Sequence, residues 1–309
     1  MWSIGAPNDL GGSLAETVVS VMDEVRPRLI EAAFSGNRGE SDNARHSDNF
    51  LSTHDLWMHD RYRELLASRL TRFVYASEEA EPQVVGDEAE PDLCILVDPL
   101  DTSELAVRGL NGYTHVLAYS RSLSRPVASV VGDIYHHVRL YVASLGPDGV
   151  DRAFAVTADG VRYPLVSRGP KRLAESVVTN YLMRPRERFA PLSRQDGVLR
   201  ALDQPAADGK RRGRIGVDFG SVGLCHVGAG FTDAMVEFAK GFAVWDLAPG
   251  HYILSASGGV VLDLDGESLP LDYGLGTNAE ITRAMDRRQM FVAAGSDELA
   301  REILRMLRR

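Results

Sequence analysis

Hydrophobic positions recur along this chain first at helical and then at strand intervals. Leu14, Val18, Met22, Val25 and Leu29 form one stripe at three- and four-residue spacing, which predicts an amphipathic helix over residues 13–33. The polar stretch 35–43 reads as a loop. A second helix is predicted over residues 55–69, with Leu56, Tyr62, Leu65 and Leu66 turned inward. Beyond it the period shortens, and strands are predicted near 93–98, 113–120, 127–135, 138–144 and 153–157. Strands that follow one another so closely favour a largely antiparallel sheet.

After Pro164 the pattern alternates. Residues 176–179, 214–217 and 290–294 read as strands, and 222–230, 247–257 and 297–307 as helices. The expected class is therefore α/β, with an α+β N-terminal half (residues 1–165) and an α/β C-terminal half (residues 166–309). Residues 203–213 form an exposed loop on composition, and no internal repeat is present.

Composition is that of an ordinary globular protein: 309 residues, 44% hydrophobic and 25% charged. No run approaches the length of a membrane span, and residues 1–9 lack the basic start and apolar core of a secretory leader. Only two cysteines occur, Cys94 and Cys225, both in apolar surroundings. Buried reduced thiols and a cytoplasmic protein are expected. A formal net charge of −9 argues against nucleic-acid binding. It leaves room for a phosphorylated small molecule, because a bound cation inverts the local field.

The most informative stretch follows the apolar run Leu93-Cys-Ile-Leu-Val97, which delivers Asp98 and Asp101 into a turn containing Pro99. Buried carboxylates are unfavourable unless a positive group holds them, and a hard, oxygen-seeking cation is the usual remedy. Ser103 and Glu104 read as helix-entry residues whose free backbone N–H groups suit an anion. A divalent metal beside an anion suggests phosphate chemistry.

This turn resembles the Asp-Pro-(Ile/Leu)-Asp-Gly-Thr signature of the inositol monophosphatase-like, magnesium-dependent phosphatases. Further pieces match in order: Ser52-Thr-His-Asp55 is similar to the family's early Thr-x-Asp, and Glu78-Glu79 to its Glu-Glu pair. Val244-Trp-Asp-Leu-Ala-Pro-Gly250 with Ser257-Gly-Gly-Val-Val-Leu-Asp263 is similar to its Trp-Asp-x-Ala-(Ala/Gly)-Gly…Gly-Gly segment. The resemblance covers roughly residues 14–295 and implies the layered αβαβα sandwich of the inositol monophosphatase/fructose-1,6-bisphosphatase type. It also implies a Mg²⁺-dependent phosphomonoesterase acting on a phosphorylated sugar, cyclitol or polyol, working as a homodimer with about two or three Mg²⁺ ions.

Carried over residue by residue, the resemblance gives Glu78, Asp98 and the main-chain carbonyl of Leu100 to one metal, and Asp98, Asp101 and Asp246 to a second. Asp55 and Ser103 would orient and help deprotonate the attacking water, with Glu78 assisting. Backbone groups of Thr102 and Ser103 would bind phosphate, while Gly220, Ser221 and Glu237 would face the substrate's ring. Glu237 reads equally as an exposed strand-end acid, and Asp246 as a cap of the helix after it. Arg184 and Arg186 are solvated charges or contacts for a second anion.

Two positions depart from the family pattern. Thr102 stands where Gly is usual, although a β-branched residue resists the positive φ that Gly accepts. Glu104 adds a carboxylate where Thr or Ser is usual. These departures motivate an alternative, a catalytically silent homologue that binds a phosphorylated ligand or a partner protein. A metal-free glycosidase built on paired carboxylates is the remaining rival. His136 and His137, read as strand neighbours, would point to opposite faces, and His54 and His59 are spaced wrongly for chelation on a helix.

Overall fold

The computed structural model describes residues 10–43, 50–168 and 171–308; the leader reading at residues 1–9 lies outside them. The chain folds as two compact units, Met1–Tyr163 with Leu271–Asp286, and Pro164–Pro270 with Arg287–Arg309.

The first unit contains α1 (Leu10–Ser35), β1 (Glu40–Ser41), β2 (Leu51–Ser52), α2 (Thr53–Arg69), β3 (Phe73–Ser77), β4 (Ala80–Val85), β5 (Leu93–Asp101) and α3 (Ser103–Ala106). It continues with β6 (Tyr113–Ser120), β7 (Arg125–Asp133), β8 (Val138–Leu145), β9 (Asp151–Thr157) and β10 (Arg162–Pro164). Eight strands form one sheet in the order β10-β9-β8-β7-β6-β5-β3-β4. Neighbours from β5 to β9 pair antiparallel, whereas β3 runs parallel to β5.

Period-two alternation along the strands meets the helical stripe of α1. Ile95, Val97, Val116, Ala118, Val130 and Val142 pack with Leu14, Val18, Met22, Val25 and Leu29 in one buried cluster, joined by Tyr62 and Leu66 of α2. Each fully buried aliphatic side chain contributes about 1.5–3 kcal/mol. Gly132 lets α1 rest on the β7 backbone, since a Cβ there would stand 2.7 Å from both Val18 and Met22 side-chain atoms.

The inward face of α2 differs from the expectation. Asp55, Met58, His59, Tyr62 and Leu66 are its buried residues, and Leu56 is 41% exposed. One residue is about 100° of helical turn, so a buried Asp55 swings Leu56 outward. His136 and His137 also fall elsewhere, in the bend between β7 and β8 rather than in a strand. There Asp133 accepts the amides of Tyr135 and His136 and faces the His136 ring.

The second unit contains β11 (Val177–Asn180), α4 (Ala190–Ser193), α5 (Asp196–Leu202), β12 (Arg214–Val217), α6 (Gly220–Ala229), β13 (Ala234–Phe242), α7 (Val244–Ala256) and β14 (Val260–Leu262). The helix α8 (Asn278–Met285) then belongs to the first unit, where it packs against β4. Asn278 accepts from Arg121, and Asp272 accepts from Tyr119. Strand β15 (Gln289–Ala294) and helix α9 (Asp297–Met306) return to the second unit.

Here five strands are ordered β12-β11-β13-β15-β14, and helices cover both faces. Ala234, Val236, Val292 and Ala294 meet Val198, Leu202, Leu299 and Ile303 from α5 and α9. The alternate residues Met235, Phe291 and Ala293 meet Leu224, Val227, Leu247 and Leu254 from α6 and α7.

Helix α7 begins at Val244, three residues before the predicted start, and carries Pro249 inside it. The hydroxyl of Ser221 enters its backbone ladder, donating to the Asp246 carbonyl (2.7 Å) and accepting from the Gly250 N–H (2.9 Å). A Cβ on residue 250 would stand 2.3 Å from the Ser221 carbonyl oxygen. Gly250→Ala is therefore expected to cost about 1–3 kcal/mol, as overpacking does. A lowered urea midpoint checks this, and an unchanged one would mean that the two helices part without penalty.

Candidate metal centre and active site

Strand β5 reaches Asp101, so the acids lie on a bulged strand end rather than in a free turn. Residues three apart on a regular strand point to opposite faces. Here Asp98 pairs with His115 and Asp101 with Tyr113, three steps on β5 against two on β6. The extra residue turns both carboxylates to one side. Pro99 sits in this irregular stretch, where it has no ladder donor to contribute. The Asp98 carbonyl accepts the Thr114 hydroxyl at 3.1 Å, and Thr114 is in turn bonded to the buried Tyr62 phenol at 2.8 Å.

Asp98, Asp101 and His115 each bring one donor atom into a buried group whose atoms lie within 4.8 Å of one another. His115 Nδ1 is 3.5 Å from Asp98 Oδ2 and Nε2 is 3.4 Å from Asp101 Oδ2. Two carboxylates and an imidazole form a donor set that fits a divalent cation. Histidine 115 is absent from the sequence expectations. The available signal was a lone imidazole inside the apolar strand Tyr113-Thr-His-Val-Leu-Ala-Tyr119, next to the strand bearing the acids.

Glu78 occupies the turn between β3 and β4 and is half-buried. Its amide donates to the Val97 carbonyl (3.2 Å), and Ser77 pairs with Val97 in the parallel ladder. The register therefore puts Glu78, one residue past the end of β3, beside Asp98 of β5. Leu100 is buried and its carbonyl accepts the Ser103 hydroxyl at 2.7 Å.

Asp55 belongs to the capping box that starts α2. Its Oδ2 accepts both the amide (2.8 Å) and the hydroxyl (2.5 Å) of Ser52, and its Oδ1 accepts the Ser103 hydroxyl (2.5 Å). Burial pushes the Asp55 carboxyl up to about 6, against the opposing pull of these hydrogen bonds. From an ordinary value of 3.8, that rise corresponds to about 3 kcal/mol against the ionised form.

Ser103 has one hydrogen and two acceptors, Asp55 and the Leu100 carbonyl. With Asp55 ionised, the hydrogen lies toward the carboxylate. With Asp55 protonated, the acid donates to Ser103 and the serine turns to Leu100. The pair can thus take up one proton without leaving a buried donor unsatisfied.

Thr102 adopts the left-handed conformation itself, at φ 61° and ψ 39°. Its hydroxyl donates to its neighbour's carbonyl, Asp101 O, at 2.6 Å. Glu104 is exposed and pairs at 3.1 Å with Arg108 in the turn that follows α3, so its charge is met at the surface.

In the second unit Asp246 is the third residue of α7 and caps the helix start from within, its Oδ2 accepting the Ala243 amide at 3.4 Å. Gly220 opens α6 at φ 30°. Ser221 is fully buried, its hydroxyl held by α7 rather than turned to a ligand. Glu237 is neither an exposed strand end nor an open contact. Its Oε1 accepts the amides of Ala239, Lys240 and Gly241, and its Oε2 meets Arg188 Nε at 2.8 Å. The Arg188 guanidinium stacks over Tyr181, 4.2 Å from the ring centre. Asp218 is held by the Phe219 amide and His226 Nδ1.

A left-handed residue with a branched side chain costs about 1–2 kcal/mol. Thr102→Gly should therefore stabilise the protein by about 1 kcal/mol despite the greater freedom of Gly when unfolded. A raised urea midpoint at constant slope checks this, and a lowered one would give the Thr102 hydroxyl bond the larger effect.

The inositol monophosphatase family model matches residues 14–299. A curated relative, Nus factor SuhB of Pasteurella multocida, is 28% identical over 179 residues, covering 57% of this chain and 59% of its own length. The chain thus spans about three-fifths of that relative. Fructose-1,6-bisphosphatase of Leishmania major superposes with a TM-score of 0.69 at 12% identity, covering 97% of this chain and 95% of that one. A dual specific IMPase/NADP phosphatase bound with D-inositol-1-phosphate gives 0.64 at 13% identity, covering 97% and 96%. The fold is of the inositol monophosphatase/fructose-1,6-bisphosphatase type, and the chain belongs to the inositol monophosphatase family.

Proposed function

We propose that this protein is a metal-dependent phosphomonoesterase that hydrolyses a phosphorylated sugar, cyclitol or polyol. Family membership supports a phosphatase of this class. The observation that carries the reading is the Asp55–Ser103 pair, bonded at 2.5 Å, whose serine also touches the Leu100 carbonyl between Asp98 and Asp101.

Asp98, Asp101, Glu78 and the Leu100 carbonyl are the groups that would hold Mg²⁺. When bound, the cation supplies positive charge against the phosphate oxygens and makes water easier to deprotonate. Ser103 orients the water through its lone pair while donating to Asp55. As the water attacks phosphorus directly, its proton passes to Ser103 Oγ and the serine hydrogen to Asp55, while the phosphorus–oxygen ester bond breaks and the leaving alkoxide takes a proton from solvent water to depart as the alcohol. No covalent phosphoenzyme forms. The amides of Thr102 and Ser103 bind the phosphate. By the same resemblance Asp246 is a metal ligand, and Asp246→Asn should lower both Mg²⁺ affinity and turnover. Homodimer assembly and a reducing cytoplasmic setting complete the proposal, the latter supported by two buried free thiols. Among the described residues no helix is long and apolar enough to cross a membrane.

The left-handed Thr102 favours a second reading, a silent homologue that binds a phosphorylated ligand without cleaving it. Phosphate release from sugar, cyclitol, histidinol and nucleotide monophosphates, with Mg²⁺ and with EDTA, separates the two. Mg²⁺-dependent release is expected. Absence of release from folded protein, restored by Thr102→Gly with Glu104→Thr, would establish the silent reading.

The base form of Asp55 is populated above its pKa of about 6, and a nearby cation lowers that value. Turnover should therefore rise with pH and level off at or below pH 6. Asp55→Asn should abolish this limb and reduce turnover by about 10²-fold or more. It should not destabilise the fold, because the burial cost of an ionised carboxylate disappears. A retained limb in that variant would remove Asp55 from proton transfer.

A further inference from the structure

His115 lies directly across the ladder from Asp98 and is fully buried, with one ring nitrogen 3.5 Å from Asp98 and the other 3.4 Å from Asp101. Its strand neighbour Thr114 faces the opposite side, where its hydroxyl holds the Asp98 carbonyl under the Tyr62 phenol. The ring is therefore fixed beside the two acids by the backbone that also shapes the bulge. We infer that His115 supplies a nitrogen ligand to the divalent ion held by Asp98 and Asp101, making a mixed oxygen–nitrogen centre that takes Mn²⁺ in preference to Mg²⁺. This deepens the metal-dependent reading above and rests on it.

Mg²⁺ is a hard ion that favours carboxylate, carbonyl and water oxygens. Imidazole suits first-row transition ions better than it suits Mg²⁺, and among them Mn²⁺ is the one that shares the preference of Mg²⁺ for carboxylate, carbonyl and water oxygens. The donor atoms of Asp98, Asp101 and His115 are close enough to share one ion. A site built from the acids alone would have no reason to prefer Mn²⁺ strongly. Adding one buried imidazole supplies that reason and leaves the oxygen ligands unchanged.

The test is binding of Mn²⁺ and Mg²⁺ to the whole protein by titration and competition, with electron spin-echo spectroscopy of the Mn²⁺-loaded form. Wild type should bind Mn²⁺ at least about tenfold more tightly than Mg²⁺ and show ¹⁴N coupling from imidazole. His115→Gln should lose the coupling. His115→Asp should lose it while retaining a metal, with the Mn²⁺ over Mg²⁺ preference reduced about tenfold. Circular dichroism checks that both variants fold, and the wild-type spectrum decides alone if either does not. Bound Mn²⁺ without ¹⁴N coupling, in protein that releases phosphate with metal, would overturn the nitrogen assignment and leave the phosphatase reading standing. Failure to bind either ion, together with no phosphate release, would overturn both.

Discussion

Two buried carboxylates three residues apart can face the same way on a strand only where the strand is irregular. The bulge at the end of β5 meets that requirement, and the other parts of the candidate centre are arranged around it. It turns Asp98 and Asp101 toward His115, brings the Leu100 carbonyl under the Ser103 hydroxyl, and ends in the left-handed Thr102. The surrounding core is what keeps this geometry. Ile95 and Val97 lock β5 beneath α1 and α2, while Tyr62 and Thr114 tie the Asp98 carbonyl from the opposite side. An unfavourable backbone conformation and buried acids persist because the neighbouring sheet leaves them little alternative.

Helix α2 shows how one residue ties a helix start to the candidate centre. Asp55 satisfies the start of the helix through Ser52, and the same carboxyl is lifted by burial into the range where proton uptake becomes easy. A purely structural cap would be better placed in water, where its charge costs nothing. Burial therefore costs stability at this position and leaves the carboxyl closer to neutrality than an exposed cap would be.

Much of this architecture was legible in the sequence. The stripe of α1 and the antiparallel run from β5 to β9 follow directly from periodicity, because burial on one face imposes it. The edge strand β4 was not legible, since Ala-Glu-Pro-Gln-Val-Val carries no clean alternation, and neither was β13, whose apolar run is broken by the buried Glu237. Leu56 misled for a related reason: an inward carboxylate displaced an apolar residue from the helix's buried face. Motif spacing points to Asp55, Asp98, Asp101 and Ser103, which lie near the bulged end of β5, with Glu78 in the turn just past the neighbouring β3. His115 escaped because a single histidine in a strand has no signature until the register is known. Ser221 and Glu237, candidates for the substrate's ring (Glu237 equally a strand-end acid), each satisfy backbone groups created by an irregular helix or strand, which no motif announces.

The return of Leu271–Asp286 to the first unit has a topological consequence. The chain passes from one unit to the other three times, after residues 163, 270 and 286. Severing the chain after residue 163 would split the first unit itself, leaving Leu271–Asp286 covalently attached to the second unit and bound to residues 1–163 only by noncovalent contacts. Expressing residues 1–163 alone would also deprive the first sheet of the α8 segment that covers β4. The protein is therefore a poor candidate for dissection into independently folding fragments. Its two units share a synthesis order as well: the first cannot be completed until most of the second has left the ribosome.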